Sequence, residues 1–304
     1  MKSKVYYIKE ITPENIVKIY EALNFSLEGN VGIKFHSGEK GNQNYLKPDM
    51  YEPIVNRLNA TLLECNTAYP GSRNTTEKHM NLMKEHGWSP RFKVDILDAD
   101  GDLKLDFPLH KIIDKNYVGK HILNYDSILV LSHFKGHPMG GYGGALKQLS
   151  IGFASSFGKN NIHSAGTKSW TKNQDEFLEA MADAAKSVVD LYKNKICYIN
   201  VMANMSVDCD CCSKAEDPCI EDLGILASLD PVSIDKACLD LVYNSNLKGK
   251  EHFIERVESR HGLVTIEAAS ELKIGSTRIF SFTATITINT HICHNIYITN
   301  FIFI

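Results

Sequence analysis

The sequence predicts an α/β protein: a layered, largely parallel sheet flanked by helices. Two observations carry this. Strand-like apolar runs alternate with helix-like segments along most of the 304 residues. Four of those runs, 31–36, 61–65, 127–132 and 196–201, pass directly into loops bearing Gly, His, Cys or cations. Ligands of open α/β sheets bind outside the carboxyl ends of the strands. If the four strands are parallel neighbours, their loops line one rim.

The helices follow from capping and periodicity. Thr12 is an N-cap, Pro13 occupies the first turn, and Ile16, Val17, Tyr20 and Leu23 form one apolar stripe. Segments 46–60 and 75–86 read as helices, the second stopped by Gly87. A long amphipathic helix spans 175–192, Asp230-Pro231 opens another through Asn244, and 250–261 ends at Gly262. Residues 1–280 form one composite domain, with any division into two lobes placed near 125.

Composition excludes several classes. Hydrophobic residues at 43% and charged residues at 23% give an ordinary globular balance. A formal net charge of −3 offers no bulk attraction to nucleic acid or to an anionic membrane. The first ten residues lack the apolar core of a secretory signal, so the expectation is a cytoplasmic protein with reduced thiols. After Arg278 no charged side chain follows. The tail 281–304 reads as an edge strand or hydrophobic tail, or as sequence foreign to the native protein; the second reading is preferred, and no function is placed there.

The chemistry concentrates in the loops. Four of the eight cysteines, Cys209, Cys211, Cys212 and Cys219, fall within eleven residues, with Asp208, Asp210 and Asp217 set around and between them. Packing alone does not gather thiols at this density. The spacing fits neither a zinc knuckle nor a ferredoxin run. An irregular metal or iron–sulfur site, a redox-active pair with Cys211 and Cys212 vicinal, and a structural role all stay open. Five glycines in the nine residues 136–144, among them Gly140, Gly141, Gly143 and Gly144, precede Lys147 and a helix expected to run to Phe157. Such a loop suits an anionic ligand, because glycine lets backbone N–H groups approach and a helix start favours negative charge. His133 and His137 flank this loop and suit metal binding or proton transfer, with His36 a third histidine at a strand end. Cys65 reads as a buried thiol. Lys34, Lys40, Arg73 and Lys135 add cations fitted to a carboxylate or phosphate.

Five stretches together resemble the domain-of-unknown-function 362 family, often described as uncharacterised iron–sulfur-centre proteins. They are 33–45, Cys65-Asn-Thr-Ala-Tyr-Pro-Gly-Ser-Arg73, 132–147, Asp208-Cys-Asp-Cys211 and Gly224-Ile-Leu-Ala-Ser-Leu-Asp-Pro231. The resemblance implies a cytoplasmic α/β protein of anaerobic type with an iron–sulfur association. Many relatives carry an inserted two-cluster ferredoxin module before the long helix. Here the cysteine-free segment 160–173 stands in its place, leaving the 209–219 run to carry any cluster. The family is also distantly similar to the nickel-pincer lactate racemases, which implies metal or proton-transfer roles for His133 and His137 on a small hydroxy acid. The expectation is therefore a metal- or iron–sulfur-dependent redox protein with a small anionic ligand and an electron-transfer partner. The alternatives are a nickel or zinc isomerase, and a non-enzymatic metal carrier or scaffold.

Overall fold

The computed structural model describes residues 3–284 and 296–297. Its strands are β1 (Ser3–Ile8), β2 (Val31–Lys34), β3 (Thr61–Glu64), β4 (Val94–Ile96), β5 (Asp102–Asp106), β6 (Lys115–Gly119), β7 (Ser127–His133), β8 (Lys135–His137), β9 (Gly141–Gly143), β10 (Ile196–Met202), β11 (Gly224–Ser228), β12 (Ile279–Ala284) and β13 (Ile296–Tyr297). The α-helices are α1 (Pro13–Ala22), α2 (Glu52–Leu58), α3 (Thr76–Glu85), α4 (Ala145–Lys147), α5 (Ser156–His163), α6 (Gln174–Tyr192), α7 (Pro231–Asn244), α8 (Lys250–Ser259) and α9 (Leu263–Glu271).

The main sheet has the order β13-β12-β1-β11-β10-β7-β2-β3-β4. Strands β10, β7, β2, β3 and β4 are mutually parallel. The strands that lead into the four motif loops are therefore consecutive and co-directional, and their loops share one rim. Only β11 breaks the run inside the sheet, pairing antiparallel with both β1 and β10.

Every residue of β7 and β10 is buried, as expected of strands covered on both faces. Successive side chains alternate between two cores. Leu129, Leu131 and Ile199 pack with Ile16, Ile54 and Trp88 on one face. Ile128, Val130 and Tyr198 pack with Ala185, Val188 and Leu239 on the other.

The helix ends follow their caps. The Thr12 hydroxyl accepts from Asn15 N–H, Thr75 from Lys78 N–H, and the Asp230 carboxylate from Val232 and Ser233 N–H. Gly87 follows α3 at φ +84°, a left-handed value that ends a helix. Two expected helices are divided. Segment 46–60 is a 3₁₀ turn at Pro48–Met50 followed by α2, since Pro48 and Pro53 are tolerated only in a first turn. The helix expected to reach Phe157 is α4, then a π turn at Gln148–Gly152, then the separate α5 capped by Ser155. No helix among the described residues is long and apolar enough to cross a membrane. Most of the tail 281–304 lies outside the described residues; residues 281–284 belong to β12, which pairs with β1 and β13.

Asp235 of α7 joins these layers. Its carboxylate accepts from Ala145 and Leu146 N–H at 2.8 and 2.9 Å, from Asn200 Nδ2 at 2.7 Å and from the Tyr142 hydroxyl at 3.3 Å. Burial raises its pKa from 3.8 to about 6 against those bonds. The folded chain thus holds this proton more tightly than the unfolded chain does. The stabilisation is complete below about pH 4 and is lost as pH rises through about 6. We expect Asp235→Ala to cost about 2–4 kcal/mol by stranding buried N–H donors. In urea unfolding, Asp235→Asn should remove the loss of stability between about pH 4 and 6 that the wild type shows relative to it.

Candidate thiol and metal site at the strand-end rim

The cysteine run is shaped by its neighbours. Gly136 of β8 has no room for a side chain: a Cβ there would meet the Val207 backbone. That close approach lays the cysteine loop on the hairpin formed by β8 and β9. On its other side the loop after β2 clasps it. Asn42 Nδ2 donates to the Cys212 carbonyl at 2.8 Å, Glu39 N–H to the Asp210 carbonyl at 2.8 Å, and Asn44 Nδ2 to the Glu216 carbonyl at 2.8 Å. The clasp is itself anchored to the buried Trp88, whose indole N–H donates to the Ser37 carbonyl.

Buried charge fixes the rim. Asp210 lies 2.9 Å from His133 Nδ1 and 2.7 Å from Lys135 Nζ. Burial would raise its pKa, but His133 and Lys135 outweigh it and hold the carboxyl well below the usual range. His133 Nε2 meets the Ala203 carbonyl, so both ring nitrogens face acceptors. Glu64 gathers cations in the same way at the end of β3. It pairs with Lys34 at 2.9 Å, accepts from Ser37 N–H at 2.9 Å, and stands 3.7 Å from Arg73. Arg73 also pairs with Glu39 at 3.1 Å.

His137 is placed differently. Its Nδ1 accepts from Met139 and Gly140 N–H at 3.1 and 2.8 Å. Burial, with Lys147 beside it, lowers its pKa to about 4. The neutral ring therefore carries its proton on Nε2, which faces Cys211 Sγ at 3.8 Å. Cys209 is fully buried; its sulfur accepts from Cys211 N–H at 3.3 Å and has Lys147 Nζ at 3.9 Å. The donor atoms of His137, Cys209 and Cys211 lie within 4.8 Å of one another, so this group could hold a metal ion. Two sulfurs and one imidazole suit a soft or borderline ion and leave a coordination position open. The same atoms form an N–H···S contact; for Nε2 to ligate a metal its proton would move to Nδ1, and the Met139 and Gly140 N–H groups would turn from that nitrogen.

The other expected residues divide by position. Cys212 adjoins Cys211, and hydrogen bonding between them lowers the Cys212 pKa. Cys219 Sγ instead faces the Met205 carbonyl at 3.4 Å and joins no ligand group among the described residues. The glycine loop forms the β8–β9 hairpin, and several of its donors are engaged within the protein. Gly140 N–H serves His137, and the helix start after Gly144 is filled by Asp235. Lys34 is spent on Glu64, and Cys65 is a buried thiol whose pKa burial pushes up. The described cysteines are all free.

What the rim encloses is a cavity of about 140 Å³. Arg73, His137, Lys147 and Cys211 line it, and so do Lys159 and His163 of α5, which the sequence reading passed over. The available signal was their i, i+4 spacing, which puts both on one helix face. We expect Asp210→Asn to destabilise the protein by about 3–5 kcal/mol, because His133 and Lys135 would stay buried without their counter-charge. Equilibrium urea unfolding checks this.

The family model described as domain of unknown function (DUF362) matches residues 31–240. No curated protein matches the chain. The lactate racemase apoprotein from Thermoanaerobacterium thermosaccharolyticum is similar at 18% identity and a TM-score of 0.41, covering 66% of this chain and 51% of that one. A structural-genomics protein from Thermotoga maritima is similar at 13% identity and a TM-score of 0.42, covering 85% of this chain and 58% of its own. The chain thus spans little more than half the length of either structure. The family match takes in all four strand-end loops and the whole cysteine run, and the chain belongs to the domain-of-unknown-function 362 family.

Proposed function

We propose that the chain is a metal-dependent redox protein that acts on a small anionic ligand in the rim cavity. The observation that carries this is the convergence of His137, Cys209 and Cys211 beside the Lys147 ammonium. Cys209, Cys211 and His137 would hold the metal, which when bound would supply electron transfer or Lewis acidity. Lys147 faces both the thiols and the cavity, so it attracts an anion to the thiol end. His133, with both nitrogens engaged, acts as a positioning residue through Asp210 and does not meet the ligand with a free nitrogen. The reading includes a reducing cytoplasm and an electron-transfer protein as partner.

The position of Cys219 favours a single thiolate-bound ion over a four-cysteine iron–sulfur cluster. It also gives weight to a second reading, a non-redox nickel or zinc enzyme such as an isomerase. Anaerobic purification followed by metal analysis and visible absorption separates these. We expect about one metal ion per chain without acid-labile sulfide. Iron that changes oxidation state supports the redox reading, and nickel or zinc supports the second. The Cys209→Ser/Cys211→Ser double variant should lose the metal while staying folded. Unchanged metal content in that variant, or a metal-free wild type, would refute both.

A further inference from the structure

The cavity also carries a buried cation that the thiol site does not use. Lys159 of α5 is 8% exposed and its ammonium donates to the Ala154 carbonyl, with no carboxylate partner among the described residues. Lys147 is likewise without one. The neighbouring cations are matched: Lys34 with Glu64, Arg73 with Glu39 and Glu64, Lys135 with Asp210. An ammonium held out of water without a counter-charge is costly, and burial pulls the Lys159 pKa down. The cavity therefore presents two cations that no carboxylate among the described residues contacts.

The other charged groups in the lining, Glu64, Arg73 and Lys135, are engaged in ion pairs, and one side of the cavity is apolar. Pro138, Met139, Ile151, Trp170 and Phe177 contribute walls. His163 is stacked between Trp170 and Phe177, with ring centroids at 4.3 and 4.6 Å and planes within 17° and 12°. Burial lowers its pKa to about 3, so the ring is neutral and the three stacked rings form one uncharged aromatic wall. The size also selects. A cavity of about 140 Å³ is close to the roughly 150 Å³ engineered void that takes up benzene.

We propose that this cavity binds a small monocarboxylate with a flat or branched apolar body, about six to ten non-hydrogen atoms in all. Lys147 and Lys159 hold the carboxylate, and Met139, Ile151 and the Trp170–His163–Phe177 stack take the apolar body. This rests on the anionic ligand of the proposed function and names its class. Phosphate fits the charge but wastes the apolar walls, and a neutral apolar molecule leaves the lysines unmatched.

The test uses the full chain, metal-free and metal-loaded, with benzoate as the probe in isothermal titration calorimetry. Benzoate should bind both forms at least tenfold more tightly than acetate, inorganic phosphate or benzamide. Lys159→Met should weaken benzoate at least tenfold while leaving metal content unchanged. It should also raise the melting temperature of the ligand-free protein, because it removes an uncompensated buried charge. Lys147→Met, at a less buried position, should show the same loss of benzoate binding and guards against a misfolded first variant. Phosphate or benzamide binding as tightly as benzoate, no benzoate binding to wild type, or unchanged benzoate affinity in both variants would overturn the proposal. Metal content is read separately, so failure of the metal reading leaves this result interpretable.

Discussion

Asp210 is the constraint on which the rim depends. A carboxylate buried at the tip of a loop is unfavourable unless cations come to it. Here two come, His133 from the end of β7 and Lys135 from the start of β8, and the Asp210 carbonyl accepts from the loop after β2. One short loop is thereby tied to three other segments. Cys209 and Cys211 are its immediate neighbours, so the geometry of the thiols follows from where the charge is satisfied. Breaking this pairing would expose the sulfurs to rearrangement before it unfolded the sheet, since β7 and β10 are held by their own packing.

The histidines illustrate how backbone donors assign chemistry. His133 and His137 occupy matching places at the ends of consecutive strands. One has an acceptor at each ring nitrogen. The other receives two peptide N–H bonds and is left with a single N–H aimed at a thiol. Identical side chains four residues apart, both lining the cavity, are therefore engaged differently, one with acceptors on both nitrogens and one with an N–H aimed at a thiol.

Much of this arrangement was legible in the sequence. Apolar runs ending in unusual loops announced a shared rim, and the parallel order β10-β7-β2-β3 provides it. Caps at Thr12, Thr75 and Asp230 fixed helix starts, because a cap is a local bond between residues close in sequence. The rest was hidden for a physical reason. Which anion fills the helix start after Gly144 depends on Asp235, ninety residues further on. The division between α4 and α5 depends on a π turn with no breaker residue of its own until Gly152. Lys159 and His163 matter because the fold turns their helix face inward, and neither residue type signals this alone.

The antiparallel strand β11 has a separate consequence. Because it returns alongside β10, the cysteine loop is a hairpin connector whose two ends meet at adjacent strands. Such a connector can be lengthened, shortened or exchanged without changing the order of the sheet. The thiols therefore sit on a connector, which gives the cavity Cys211, while the rest of the cavity lining comes from the scaffold. Evolution or design could give this fold a new reactive group by rewriting the cysteine positions of one loop, provided Asp210 keeps its pairing with His133 and Lys135.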